Sequence, residues 1–290
     1  MAPKRSDKRR QYRKQQQARV REQRQAAAER ARKRVKPPGE SLAVARLHDR
    51  LFETNLHYTG TAQFQVDDAG RIVAAALAKT SLTDLTPLQG LPLHALDAAS
   101  TSVTDLAPLA GVPLKELYLE QTPVADLAPL AGMALEKLYL SQTAVADLSP
   151  LRAMPLNELN LVGTPVADLA PLAESPVQQL WLNRCPVNDL TPLAGLPLVS
   201  LTLEGTNASD LSPLSQIATL ERLHIAGTPV RDLRPLKELP LTRLIFTPGR
   251  IEHGLDDVRQ MPSLTELGPD LEQRLPPAEF WSRYDSGAFG

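Results

Sequence analysis

The sequence holds a single cysteine, Cys185, so no intrachain disulfide can form and a secreted disulfide scaffold is excluded. Aromatic residues make up only 4% of the 290 positions, while 42% are hydrophobic. Leu, Ala and Val must therefore supply the core. The longest unbroken apolar run is Ile72–Ala78, far short of the ~18 residues that a membrane-spanning helix needs. No apolar segment follows the charged N-terminus, so no secretory signal is read there. The five histidines (His48, His57, His94, His224 and His253) lie without ligand spacing, and neither Cys-x-x-Cys nor His-Glu-x-x-His occurs. That pattern predicts no structural or catalytic metal. Gly-x-Ser-x-Gly and phosphate-cradling glycine-rich loops are missing as well. The chain reads as a non-enzymatic protein without a cofactor, expected in a reducing, cytoplasmic setting and expected to be a monomer.

Charge is present but divided. The formal net charge is −1, yet residues 1–40 carry 15 Lys/Arg against 4 Asp/Glu, and residues 41–290 carry 17 against 29. A cationic arm thus precedes an acidic body.

The body repeats itself, and such periodicity takes precedence over local patterns. Asp-Leu-x-Pro-Leu recurs with its Asp at 84, 105, 126, 147, 168, 189, 210 and 232, spaced by 21 residues six times and 22 once. Paired apolar residues precede the later copies: Leu117/Leu119, Leu138/Leu140, Leu159/Leu161, Leu180/Leu182, Leu201/Leu203 and Leu223/Ile225. A Thr follows three residues after most pairs, with Cys185 in its place once. Leu-x-Leu predicts a short strand with two side chains inward and one outward. Asp predicts a cap for the following turn, and Pro suits that first turn because its missing N–H costs little there. One unit cannot bury its apolar face alone, so the units must stack.

These residues resemble a short bacterial leucine-rich repeat of the internalin-like class. They are more closely similar to serial Thr-x-Val-x-Asp-Leu-x-Pro-Leu repeats found in bacterial proteins, some fused to Ser/Thr kinase domains. The repeats cover Thr80–Pro248. Asn55, Tyr58 and Gly60 resemble the lead-in of that group, and Pro277–Phe289 its Pro-Ala-Glu-Phe-Trp ending. The likeness spans about residues 42–289 and includes no kinase motif, which leaves a free-standing sensor or adaptor relative of the kinase-fused proteins as an alternative reading. It implies an α/β solenoid, right-handed and curved, with a parallel sheet on its concave side and short helical or 3-10 turns on the convex side.

Four segments are expected: a basic arm over 1–38, an N-terminal cap of helix and hairpin over 39–79, repeats over 80–248 and a C-terminal aromatic cap over 249–290. Ser41–Glu53 predicts the cap helix, with Ser41 as its cap. Phe64/Val66 and Ile72–Leu77 predict the hairpin strands. Glu252–Gln260 predicts a further helix and Leu264–Leu267 a last strand. The arm lacks apolar content and is expected to pack on nothing by hydrophobicity.

The outward column of the strands reads Asp97, Tyr118, Tyr139, Asn160, Trp181, Thr202, His224 and Ile245, which register places outside the core. Flanking columns hold Glu116, Lys137 and Glu158 on one side and Glu120 and Asn183 on the other. Tyr118, Tyr139, Asn160 and Trp181, with Glu116, Lys137, Glu158 and Asn183, form the expected binding strip for a protein or peptide, since Tyr, Trp and Arg are the usual interface anchors. The bland alternative is a solvated strand face. In the arm, Arg9, Arg10, Arg13, Lys14, Arg32, Lys33 and Arg34 are candidates for contact with a polyanion, ribosomal RNA foremost. The alternative there is a merely solvated charge run.

Overall fold

A computed structural model describes residues 22, 25, 26, 28–34 and 39–289. One eleven-stranded sheet runs through it in sequence order, β1 to β11. Strands β1 (Gln63–Val66) and β2 (Ile72–Ala76) form an antiparallel hairpin, and every later neighbour is parallel. The repeat strands are β3 (Ala95–Asp97), β4 (Glu116–Tyr118), β5 (Lys137–Tyr139), β6 (Glu158–Asn160), β7 (Gln179–Trp181), β8 (Ser200–Thr202), β9 (Arg222–His224) and β10 (Arg243–Ile245). Strand β11 (Glu266–Gly268) closes the sheet.

Register places like on like: Leu117 pairs with Leu138, Leu138 with Leu159, and Leu159 with Leu180. These leucines are wholly buried, as are the second members Leu119, Leu140, Leu161 and Leu182. The chain leaves each strand through one residue in the left-handed region: Lys79, Ser100, Gln121, Gln142, Gly163, Arg184, Gly205 or Gly227, with φ between 55° and 71°. Thr then fills the inner corner of the turn. Thr101, Thr122, Thr143, Thr164, Thr206 and Thr228 are buried, and each Oγ1 donates to the carbonyl three residues back at 2.6–2.8 Å. Cys185 donates instead to the Leu161 carbonyl at 3.0 Å, and burial pushes its thiol up from the ordinary value.

The repeated Asp caps the next turn as expected. Its Oδ1 accepts from the backbone N–H two residues on, at 2.7–2.9 Å, in all eight copies. The turn it opens is a 3-10 turn of three to five residues beginning x-Pro-Leu, too short for an α-helix.

Helix α1 (Leu42–Thr54) covers the first repeat, with Ser41 Oγ accepting from Val44 N at 3.3 Å. Buried Asn55 fastens cap to repeat. Its Oδ1 accepts from Thr83 N and Asp84 N at 2.8 and 2.9 Å, and its Nδ2 donates to the Asp84 carbonyl at 3.0 Å. Tyr58 Oη and His48 Nδ1 lie 2.6 Å apart in the same cap. Burial, then the nearby Arg34 guanidinium, brings His48 down to about 4. The arm's end also differs from expectation. Arg34 is buried, 7% exposed in its side chain, and its Nη2 lies 2.5 Å from Glu40 Oε2. Ala31 packs against the core beside it. Ala31 and Arg34 thus both contact the cap, the first by packing on the core and the second through an ion pair.

At the far end, helix α2 (Leu255–Arg259) is shorter than expected, since Gly254 at φ 88° precedes it and His253 bridges back to Asp232. Helix α3 (Pro277–Asp285) carries the closing aromatics. Phe280 packs on Phe246 and Phe289 at 5.6 and 4.9 Å, and the Arg259 guanidinium lies 4.6 Å above Trp281.

Two outcomes follow from this construction. Deleting Asp126–Ala146, one full period, keeps like against like. Deleting ten residues within it sets strands against turns and buries polar groups unpaired. Thermal melting of both variants should rank the full-period deletion as the more stable, and the reverse order would refute the stacking register. The second concerns acid. A histidine held neutral by burial contributes stability that is present above its ordinary value and lost as pH falls towards about 4. The wild type should lose roughly 3 kcal/mol more than His48→Gln between pH 7 and pH 4, measured by denaturant melts. Equal losses would show that His48 is not held neutral.

Candidate protein-interaction face

The outward column forms a continuous strip. Tyr118 and Tyr139, on neighbouring strands, stand with ring centroids 5.0 Å apart. Trp181 is two strands beyond Tyr139, about 9.6 Å away at ordinary strand spacing. Its ring nonetheless lies 5.9 Å from Tyr139, so the two rings lean together across β6. They can do so because the intervening residue, Asn160, is small and turned to its own backbone. Its Oδ1 accepts from Val162 N at 3.1 Å and from Ser141 Oγ at 2.8 Å.

Carboxylates hold the phenols in place. Tyr118 Oη donates to Glu116 at 3.1 Å, and Tyr139 Oη donates to Glu158 at 2.5 Å. Lys137 sits between these acids, its Nζ 3.5 Å from Glu116 and 3.6 Å from Glu158. Partial burial, reinforced by Glu116 and Glu158 respectively, raises both phenols above their ordinary value, so they remain neutral donors at physiological pH. Glu158 and then Glu116 raise the Lys137 ammonium, which stays charged. Asn183 belongs to the next part of the strip, donating to Glu204 at 2.9 Å and accepting from Thr202. Tyr118, Tyr139, Trp181, Glu116, Lys137 and Glu158 thus contact one another along the strip, with Asn160 between and Asn183 joined to Glu204 and Thr202 beyond.

Sequence reasoning missed two features of this face. The first is a groove of about 240 Å³ beside Tyr118. It is lined by Gln63, Phe64 and Gln65 of β1, by Ala74, Ala75 and Ala76 of β2, and by Ala95, Asp97 and Tyr118. The run of three alanines in β2 was its only signal. The second is closure at the C-terminal end. His224 and Ile245 belong to the outward column, but they are 5% and 0% exposed. The expectation that the whole column lies outside the core is corrected here. Gly268 takes the next place in that column, paired with Ile245. A Cβ at Gly268 would stand 2.6 Å from the Gln273 carbonyl oxygen and 2.9 Å from that of Asp270. The loop after β11 therefore crosses the face where a side chain would project. Among the described residues both ring nitrogens of His224 lack a hydrogen-bond partner, and burial lowers its pKa.

The fold is a leucine-rich-repeat solenoid. An internalin of Listeria monocytogenes (inlF) is similar at TM-score 0.61 and 24% identity, over 69% of this chain. The chain spans 64% of that internalin's length. Internalin C2 of the same organism is similar at TM-score 0.58 and 24% identity, over 78% of this chain and 92% of the internalin. The leucine-rich-repeat ectodomain of the Arabidopsis thaliana receptor kinase GASSHO1/SCHENGEN3, solved in complex with CASPARIAN STRIP INTEGRITY FACTOR 2, is similar at TM-score 0.53 and 17% identity. That match covers 70% of this chain and 27% of the receptor. No family model and no curated protein matches the chain.

The arm candidates fall in different places. Arg9, Arg10, Arg13 and Lys14 lie outside the described residues. Arg32 is exposed, and Lys33 is exposed while pairing with Glu29 at 2.8 Å. The Arg34 side chain is buried and its guanidinium pairs with Glu40. Among the described residues, no group of three or more His, Cys, Asp or Glu is placed to hold a metal ion, and no helix is long and apolar enough to cross a membrane.

The closed end generates a direct test. Gly268→Ala should cost about 1–3 kcal/mol, as overpacking does, because the intruding methyl meets backbone rather than a flexible side chain. Denaturant melts would measure it. An unchanged stability would mean that the loop over residues 270–273 does not press on this face.

Proposed function

We propose that this protein is a non-enzymatic interaction module that binds a protein or peptide on the strand face, across Tyr118, Tyr139 and Trp181. The observation that carries this reading is the pre-set aromatic strip. Three large rings are held in mutual contact on an open face, with phenol hydroxyls fixed by carboxylates and strands fixed by buried leucines. Rings already ordered lose little entropy on docking, which is what makes such patches anchors. Glu116, Lys137 and Glu158 beside them set orientation more than affinity. The plant receptors of similar fold, solved with CASPARIAN STRIP INTEGRITY FACTOR 2 and with RGF2, support a fold suited to such partners.

Attachment through the arm, to ribosomal RNA or another polyanion, is a second and separable reading. Exposed Arg32 and the basic density of residues 1–21 favour it.

Trp181→Ala should cost about 2 kcal/mol or more of partner affinity and barely move the melting temperature, since the ring stands outside the core. Leu182→Ala, one residue on, should cost about 2–5 kcal/mol of stability. Affinity capture from the source cells, paired with melting of both variants, reads the two effects apart. If Trp181→Ala retains every partner of the wild type, the strip is not the binding surface.

A further inference from the structure

The groove beside Tyr118 has a chemistry that the aromatic strip alone does not. Its lining is mostly the alanines of β2, Ala95 and Phe64, with Gln63 and Gln65 beside them. At about 240 Å³ it is smaller than the ~300–1,000 Å³ of small-molecule sites, and it suits a single long side chain. Methyl groups and a phenyl ring favour an aliphatic stem. Asp97 and Tyr118 line it as well. Asp97 Oδ1 accepts from Ala99 N at 3.0 Å, and Oδ2 takes no hydrogen bond from a described residue.

The surroundings have the same sign. Asp97 and Tyr118 are neighbours in register, and Glu120 follows Tyr118 by two residues. Glu120 Oε2 is closed off from solvent without a hydrogen-bond partner. Burial first, and repulsion from Asp97, raise the Glu120 carboxyl. The Glu120 backbone N–H offsets part of this, and Oε2 keeps no hydrogen-bond partner among the described residues. The strand face over β3–β6 holds Asp97, Glu116, Glu120 and Glu158 against Lys137 alone. Charge complementarity selects a cation, the stem-shaped walls select Lys or Arg over a metal ion, and the Tyr118 ring adds cation–π attraction.

We propose that this groove receives a Lys or Arg side chain from an extended basic segment of the partner, laid along the strand face with its remaining length over Tyr139 and Trp181. The proposal rests on the reading of the strand face as the binding surface and names the chemistry of what binds there.

The test uses the full chain and calorimetric titration with a synthetic nonapeptide of alternating Lys and Ser, with a Glu/Ser peptide as counterpart. The Lys peptide should bind, and more weakly as salt rises. Asp97→Asn should weaken it about tenfold, and Glu120→Gln several-fold. Glu120→Gln should melt no lower than wild type, because it removes the charge that burial and Asp97 disfavour; a purely structural Glu120 would lower it. Glu174→Gln, exposed on the turn side, should change nothing. Failure of the Lys peptide to bind, equal binding of the Glu peptide, or wild-type affinity in both Asp97→Asn and Glu120→Gln would overturn the proposal. So would tighter binding after Arg9, Arg10, Arg13 and Lys14 are all changed to Gln, which would make the chain's own arm the occupant. Loss of the natural partner by Trp181→Ala, with no Lys-peptide binding, would leave the strand face as the binding surface and refute only the cationic groove. Lys-peptide binding through Asp97, with no effect of Trp181→Ala on any partner, would do the opposite.

Discussion

No repeat of this chain can bury its own leucines. Each 21-residue unit offers one strand, one turn and an apolar flank, and that flank leaves water only when the next unit covers it. The columns of wholly buried leucines follow from this constraint, and so do the two ends. Helix α1 and the hairpin cover the first unit, and α3 with its aromatic cluster covers the last. The polar residues of the repeat answer a second demand of the same burial. Thr spends its hydroxyl on a strand-end carbonyl and Asp spends its carboxylate on a turn amide, so the corners between stacked units carry few unpaired groups.

Function grows out of the residues this constraint leaves free. In a strand of three residues the central side chain is buried and the two flanking ones face outward, so each unit from β3 to β8 leaves two strand positions that packing does not dictate. In β4, β5 and β7 these positions hold Tyr, Tyr and Trp, with Glu, Lys and Gln beside them. The rigidity of that strip is inherited from the leucines below it, and its polarity from the carboxylates that fix the phenols. The same face is finished differently at its two ends. Alanines in β2 keep the N-terminal end hollow, while the loop after β11 seals the C-terminal end over His224 and Ile245. The open surface is therefore bounded to the strands before β9.

Most of this architecture was legible in the sequence because a strict period multiplies weak local signals. One Leu-x-Leu could be helix or strand; repeated in phase with Asp-Leu-x-Pro-Leu, it has one consistent reading. The aromatic strip was legible for the same reason, since register assigns faces. What register could not convey was contact between segments distant in sequence. The Gly268 loop covers two outward residues through a backbone approach that carries no pattern. Arg34 reads as one more arm cation until Glu40 and His48 enclose it, and its burial depends on a pairing rather than on hydrophobicity. The lean of Tyr139 towards Trp181 depends on how Asn160 turns, a rotamer choice invisible in the residue types.

The central claim is that the strand face, between the groove at β2 and the closed end at β9, is where a protein partner docks. The most direct measurement places a photo-crosslinking amino acid at one position at a time in the full chain, in the cells that make it. Position 139 on the strand face with position 162, two residues past the end of β6, and positions 128 and 170 on the 3-10 turns serve as the two sets. The account predicts one common adduct from 139 and 162 and none from 128 or 170. Adducts of equal yield from both sets, or from the turn positions alone, would contradict it.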